Sequence, residues 1–194
     1  VTTLLVDCYP PGWEGKLGAY SRLLERFGGV RVARVESLPD PARLDRAGAV
    51  VLTGSPIMLT QDRPPAGLVE FVLALDRPVF GICFGHQLLG IATGAAMGRR
   101  EFYEAPGLVR VLEPEPLFTG MAETLVVAES HAEYLELEST TAAGWQVLAE
   151  SRLGAVEAMR HRERPWCGVQ FHPERSGQAG VDILANFYRN VVRA

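Results

Sequence analysis

The sequence predicts an α/β fold: a mostly parallel central sheet flanked by helices, with an antiparallel extension in its second half. Three observations carry that expectation. Apolar runs at 3–7, 49–53 and 78–82 show no polar alternation, the pattern of strands buried on both faces. Segments with helical spacing lie between them. Beyond residue 108 the strand-like runs follow one another too closely for such alternation to continue.

The elements follow in order. Residues 3–7 form the first strand. Residues 17–27 carry Tyr20, Leu23, Leu24 and Phe27 at helical spacing, and Gly28-Gly29 stops that helix. Residues 30–35 form the next strand. Residues 49–53 are a buried strand that ends in Gly54-Ser55-Pro56. A helix is expected over 68–75, a buried strand over 78–82 and an apolar helix over 84–93. Strands are then expected at 108–112, 124–128, 145–150, 155–160 and 166–171. A closing helix over 180–192 presents Val181, Ile183, Leu184, Phe187, Tyr188 and Val191 as one stripe. No repeat or low-complexity linker divides the chain, and the polar stretch 61–65 is loop-sized, so one domain over 1–194 is expected.

Composition narrows the function classes. With 194 residues, 47% of them hydrophobic, the chain has ample material for a core, and disorder is not expected. Net charge is −4, and the densest basic cluster, Arg160-His161-Arg162-Glu163-Arg164 before Pro165, reads as a polar turn. Nucleic acid is therefore not an expected partner. No run reaches the ~18 apolar residues of a membrane span, and residues 1–6 read as a core strand, not as a leader. Three cysteines without a C-x-x-C pair suggest neither disulfides nor zinc. A reducing, cytoplasmic setting is expected.

The segment Gly81-Ile82-Cys83-Phe84-Gly85-His86-Gln87 follows a core strand and opens a helix. Its G-x-C-x-G form is the thiol version of a nucleophile elbow. Glycines on either side allow a tight turn, and the helix N-terminus stabilises a thiolate. Cys8 and Cys167 lack that context and read as structural. A thiol needs a base, and the histidines are His86, His131, His161 and His172. His172 lies in Gly168-Val169-Gln170-Phe171-His172-Pro173-Glu174, directly after an apolar strand, which puts it at the edge where Cys83 belongs. Glu174, joined through a stiff proline, is placed to orient its ring.

These two blocks, in this order, resemble the signature of the class I (triad) glutamine amidotransferase family, and the likeness runs from about residue 3 to the C-terminus. The resemblance implies a flavodoxin-like domain with Cys83 as nucleophile, His172 as base and Glu174 as its support. It further implies an oxyanion loop at Gly54-Ser55-Pro56, with N–H donors from Ser55 and Phe84, and a substrate-holding Gln87. Ser130, His131 and Ala132 match the stretch whose backbone meets the ends of glutamine in relatives. Ala132 and Glu133 depart there from the family's usual glycine and aspartate. His86 reads as packing.

The implied chemistry is hydrolysis of glutamine to glutamate and ammonia through a Cys83 thioester, without metal or organic cofactor. The ammonia would pass to a synthase. No G-x-x-x-x-G-K-[ST] loop is present, so the acceptor site is expected on another chain. Parts of the sequence (Glu101-Phe102-Tyr103, 117–120, Ser130-His131) are nearest to the amidotransferase part of GMP synthetase. The C-terminal part is similar to the glutaminase subunits of imidazole-glycerol-phosphate and anthranilate synthases. Rival readings on the same residues are a stand-alone γ-glutamyl hydrolase and a non-catalytic regulatory relative. A related hydrolase class with its acid on an early loop would draw on Glu14.

Overall fold

The computed structural model describes residues 1–44 and 47–193, apart from the side chain of Glu14, so that early acidic candidate lies outside the described residues. In chain order the elements are β1 (Thr2–Asp7), α1 (Leu17–Leu24), β2 (Gly29–Arg34), β3 (Ala49–Leu52), α2 (Leu68–Leu73), β4 (Val79–Ile82) and α3 (Phe84–Ala92). They continue with β5 (Met97–Val111), β6 (Thr124–Leu135), α4 (Leu137–Ala142), β7 (Trp145–Ser151), β8 (Ala158–His161), β9 (Trp166–Val169) and α5 (Gly177–Phe187). The described strands form one sheet in the order β2-β1-β3-β4-β9-β8-β7-β5-β6. The pairings from β2 to β9 are parallel, and those from β9 to β6 are antiparallel. This is the architecture that the sequence predicts.

The alternating direction of side chains along each strand builds two cores. Leu5, Val51, Phe80 and Cys167 face one side and meet Tyr20, Leu23 and Leu24 of α1 and Ile183, Leu184 and Phe187 of α5. Leu4, Val6, Val50, Leu52 and Val79 face the other and meet α2 and α3. The central strands are therefore apolar at every position, which is why they carry no polar alternation.

Three features differ from expectation. The run at 108–112 is only the end of a strand that begins at Met97, and the run at 124–128 continues to Leu135. These two pair as a long ribbon, with a register shift between Arg99 and Tyr103. Only Val109–Val111 of β5 also pairs with β7, so most of the ribbon has a single partner and tolerates charges, Gly98, Pro106 and Gly107. Helix α4 was not expected, since Leu137–Ala142 is short and mostly polar. The closing helix starts at Gly177 and passes into a π-helical turn at Tyr188–Val192.

Four of the five parallel strands, β1, β3, β4 and β9, end at one edge, where ligands bind in open α/β sheets. Register fixes what they deliver there. Leu52 pairs with Gly81, and Ile82 pairs with Val169. Thus the Gly54-Ser55-Pro56 loop, Cys83 and the segment to His172 leave from three adjacent strands. Helix α5 then clamps the turn at Pro173–Arg175. A Cβ on Gly180 would lie 1.9 Å from the Pro173 carbonyl oxygen.

That contact yields a stability test. Gly180→Ala should cost ~2–3 kcal/mol, because helix and turn must separate to admit a methyl group. Gly15→Ala, where nothing lies within 4 Å of the added carbon, should stay within ~0.5 kcal/mol. Urea denaturation of both variants checks the contrast. Equal, small losses would show that α5 does not fix the turn.

Candidate active site

Cys83 has φ 52° and ψ −103°, and it is the one non-glycine residue with positive φ among the described residues. Such a conformation costs about 1–3 kcal/mol and persists only where surroundings over-determine it. Here they do. The Cys83 N–H donates to Val169 O at 2.9 Å, and Gly85 N–H donates to Thr53 O at 3.1 Å. A Cβ on Gly81 would meet the Gly85 backbone at 2.5 Å, and one on Gly85 would meet Leu52 O at 2.6 Å. Both flanking residues must therefore be glycine for the turn to close against β3.

The sulfur sits at the N-terminus of α3, where the helix dipole favours a negative charge. Its near neighbours are the Ser130 carbonyl at 3.8 Å and Gln170 Nε2 at 3.7 Å. His172 faces it from β9's exit. His172 Nδ1 bonds Glu174 Oε1 at 2.7 Å, and both side chains are almost fully buried. Burial alone would lower the His172 pKa. The charge and hydrogen bond of Cys83, followed by those of Glu174, outweigh it and push the value up to about 10. The surroundings thus favour the protonated imidazole of His172 beside Cys83.

Backbone ties hold the histidine in place. Its N–H donates to Ala128 O at 2.8 Å, and its carbonyl accepts from Ser176 Oγ at 2.7 Å. Gly54 packs against the ring, and a Cβ there would lie 3.2 Å from His172 Cε1. The Gly54 N–H donates to the Tyr20 hydroxyl at 3.2 Å, which leaves the N–H of Ser55 as the loop's candidate anion donor.

Cys83, His172 and Ser55 line a cleft of about 410 Å³ that also includes Gln87, Ser130, His131 and Ala132. Gln87 lines the wall, but its amide nitrogen donates to Glu133 O and Gln170 Oε1, both at 3.0 Å. Those bonds tie α3 to β6 and to the segment after β9. The Glu133 carboxylate accepts Leu59 N–H and Thr60 N–H, both at 2.8 Å, and the Thr60 hydroxyl, so it anchors the loop that carries Ser55. His86 is fully buried, pushed down to about 3 by that burial, and packs against Gly168.

Sequence reasoning gave no role to Gln170, which was legible within the second block, nor to Tyr20, which came only as helix stripe. It also passed over the cleft's charged rim of Lys16, Glu104 and Arg175. Glu104 and Arg175 pair at 3.1 Å, and Arg175 holds the Glu104 carboxyl below its ordinary range. No described helix is long and apolar enough to cross a membrane.

The family model described as glutamine amidotransferase class-I matches residues 20–191. The glutamine-hydrolyzing GMP synthase of Archaeoglobus fulgidus has an A subunit that is 34% identical over 176 residues, covering 88% of this chain and 92% of the relative. Its counterpart in Methanopyrus kandleri is also 34% identical, with the same coverage. Among solved structures, a protein from Thermoplasma acidophilum assigned to the same GMP synthase component matches with TM-score 0.85 at 23% identity. It covers all of this chain and 94% of its own. That likeness supports the fold.

The three cysteines separate chemically. Cys8 and Cys167 are wholly buried, and burial pushes both thiols up to about 12. Iodoacetamide should therefore label Cys83 at least ~10²-fold faster than either. Peptide mapping after limited alkylation measures this, and first modification at Cys8 or Cys167 would contradict the site.

Proposed function

The chain belongs to the class-I glutamine amidotransferase family, and from that premise we propose that it hydrolyses glutamine with Cys83, His172 and Glu174. The observation that carries the residue assignment is the buried Cys83–His172–Glu174 line at the edge of three adjacent strands. The Cys83 thiolate attacks the carboxamide carbon. The N–H groups of Ser55 and Phe84 are the donors for the resulting oxyanion. His172 gives its proton to the departing ammonia, leaving a γ-glutamyl thioester. Water, deprotonated by His172, then releases glutamate and restores the thiol. Residues 1–194 act as one amidotransferase domain.

We assign the ammonia to a synthase site on another chain. The similar proteins of Archaeoglobus fulgidus and Methanopyrus kandleri are named as the A subunits of GMP synthase, which supports a synthase of that kind as partner. The matched Pyrobaculum aerophilum GMP synthase is a longer protein, of which the match covers 31%. We place the chain in a reducing, cytoplasmic setting.

Glutaminase assays test the roles. Cys83→Ala and His172→Ala should abolish activity, since loss of the base alone removes about 10²–10⁴-fold. Glu174→Gln should retain more, because it removes an orienting charge and not a reacting group. Unchanged turnover in His172→Ala would refute the assignment. A second arm tests coupling. The pure chain should turn over slowly, and its synthase should raise the rate about 10²–10³-fold if docking supplies one oxyanion donor. Full activity alone, with preference for γ-glutamyl peptides, would favour a stand-alone hydrolase.

A further inference from the structure

Behind the cleft wall lies a polar cluster that the reaction does not use. Glu129 and His131 of β6 and Glu157, which precedes β8, are all buried, with ligating atoms within 4.8 Å of one another. Both oxygens of Glu129, Nε2 of His131 and Oε2 of Glu157 have no hydrogen-bond partner. Two glycines make room for the acids. A Cβ on Gly107 would lie 2.6 Å from Glu129 Cγ, and one on Gly154 would lie 3.1 Å from Glu157 Oε1.

The tautomer follows from geometry. His131 Nδ1 faces the Glu133 carbonyl at 2.9 Å, so that nitrogen carries hydrogen. Its Nε2 lies 3.2 Å from Glu129 Oε2, close enough for ion pairing, though not aligned as a hydrogen bond. Two ionised carboxylates here without a proton between them would repel in a buried site. The other polar groups nearby are Arg100 from β5, Ser151 from β7, whose hydroxyl donates to Glu157 Oε1 at 2.6 Å, and neutral His86 from α3. One proton shared among the two acids and His131 makes the cluster neutral together with Arg100. A divalent cation would leave a buried net positive charge.

We propose that Glu129, His131 and Glu157 form a proton-sharing cluster that positions residues 130–133, and with them the substrate wall of the cleft. The mechanical link is short. The Ser130 carbonyl contacts the Cys83 sulfur, the Glu133 carbonyl takes both His131 and Gln87, and the Glu133 carboxylate holds the Ser55 loop. Burial, then the charge of Glu129, pushes the Glu157 carboxyl up to about 7, so the cluster loses its proton near neutrality.

The inference rests on the glutaminase reading only for its kinetic arm. In wild type the KM for glutamine should rise about tenfold between roughly pH 5.5 and 8.5, with kcat within about twofold after the intrinsic pH profile is removed. Glu157→Gln, which mimics the protonated acid, should hold the low-pH KM throughout. Two further arms need no substrate. A carboxyl whose folded pKa exceeds its unfolded value of 4.5 stabilises most below that value. Its contribution is lost as pH rises through about 7. The melting temperature should therefore fall across that interval in wild type and not in Glu157→Gln. Infrared spectra should show a protonated carboxylic acid that vanishes over the same range. If Glu157→Gln fails to fold, Glu129→Gln and the wild-type infrared titration decide. Absence of the acid band, identical melting profiles, or stoichiometric divalent metal in the purified protein would each overturn the proposal. Normal melting and infrared behaviour without any glutamine turnover would instead count against the glutaminase reading.

Discussion

The left-handed backbone at Cys83 is the constraint on which the site depends. A side chain in that conformation cannot continue the strand or join the helix axis, so it projects from the sheet edge. The conformation survives because its surroundings leave no alternative. The Cys83 N–H is held by Val169, Gly85 is held by Thr53, and Gly81 packs directly on Gly85. The two hydrogen bonds reach the strands on either side of β4. The sheet order therefore locates the sulfur and also enforces its strain. Moving any of the three central strands would release the turn.

Chemically identical groups are buried in different company in this molecule. Cys8 and Cys167 are sealed among apolar side chains, and their thiols are driven far up. Cys83 is also largely buried, but it meets a helix N-terminus and a histidine whose other face is held by a carboxylate. Surroundings also separate the histidines. His86, surrounded by backbone and apolar groups, is driven to about 3, whereas His172 is raised to about 10. For the two histidines the difference is a neighbouring charge and not the depth of burial.

What the sequence disclosed was whatever is contiguous. The elbow and the His172 block each lie on a short stretch whose chemistry and backbone demands coincide. The apolar strands were equally legible, because burial on both faces removes alternation. The β5–β6 ribbon was not. Its residues answer to a single partner strand, and Gly107, which propensity counts against a strand, is required there by the side chain of Glu129. The hydrogen bonds of Gln87 were hidden for a similar reason. A glutamine near a nucleophile reads as a substrate ligand, but its partners, Glu133 and Gln170, are 46 and 83 residues away. Nor did pattern signal the Glu129–Glu157 pairing, since fold alone brings those acids together.

The amides that link Gln87 to the sulfur also have a direction. A main-chain carbonyl cannot donate, so the Glu133 oxygen obliges Gln87 to present its NH₂ group. That group's second hydrogen obliges Gln170 to present oxygen to Gln87, and therefore NH₂ to Cys83. The orientation of Gln170 is thus decided some distance away, and no rotation of one amide alone satisfies the chain. The last donor of the relay, the Gln170 amide, points at the sulfur, while the sulfur itself faces the Ser130 carbonyl as donor. Glutamate at 170 would set a carboxylate against the thiolate. Glutamate at 87 would remove both hydrogens and leave Gln170 free to turn over. The relay is a wire with one polarity, and it fixes which group Gln170 presents to the Cys83 sulfur without touching either His172 or Glu174.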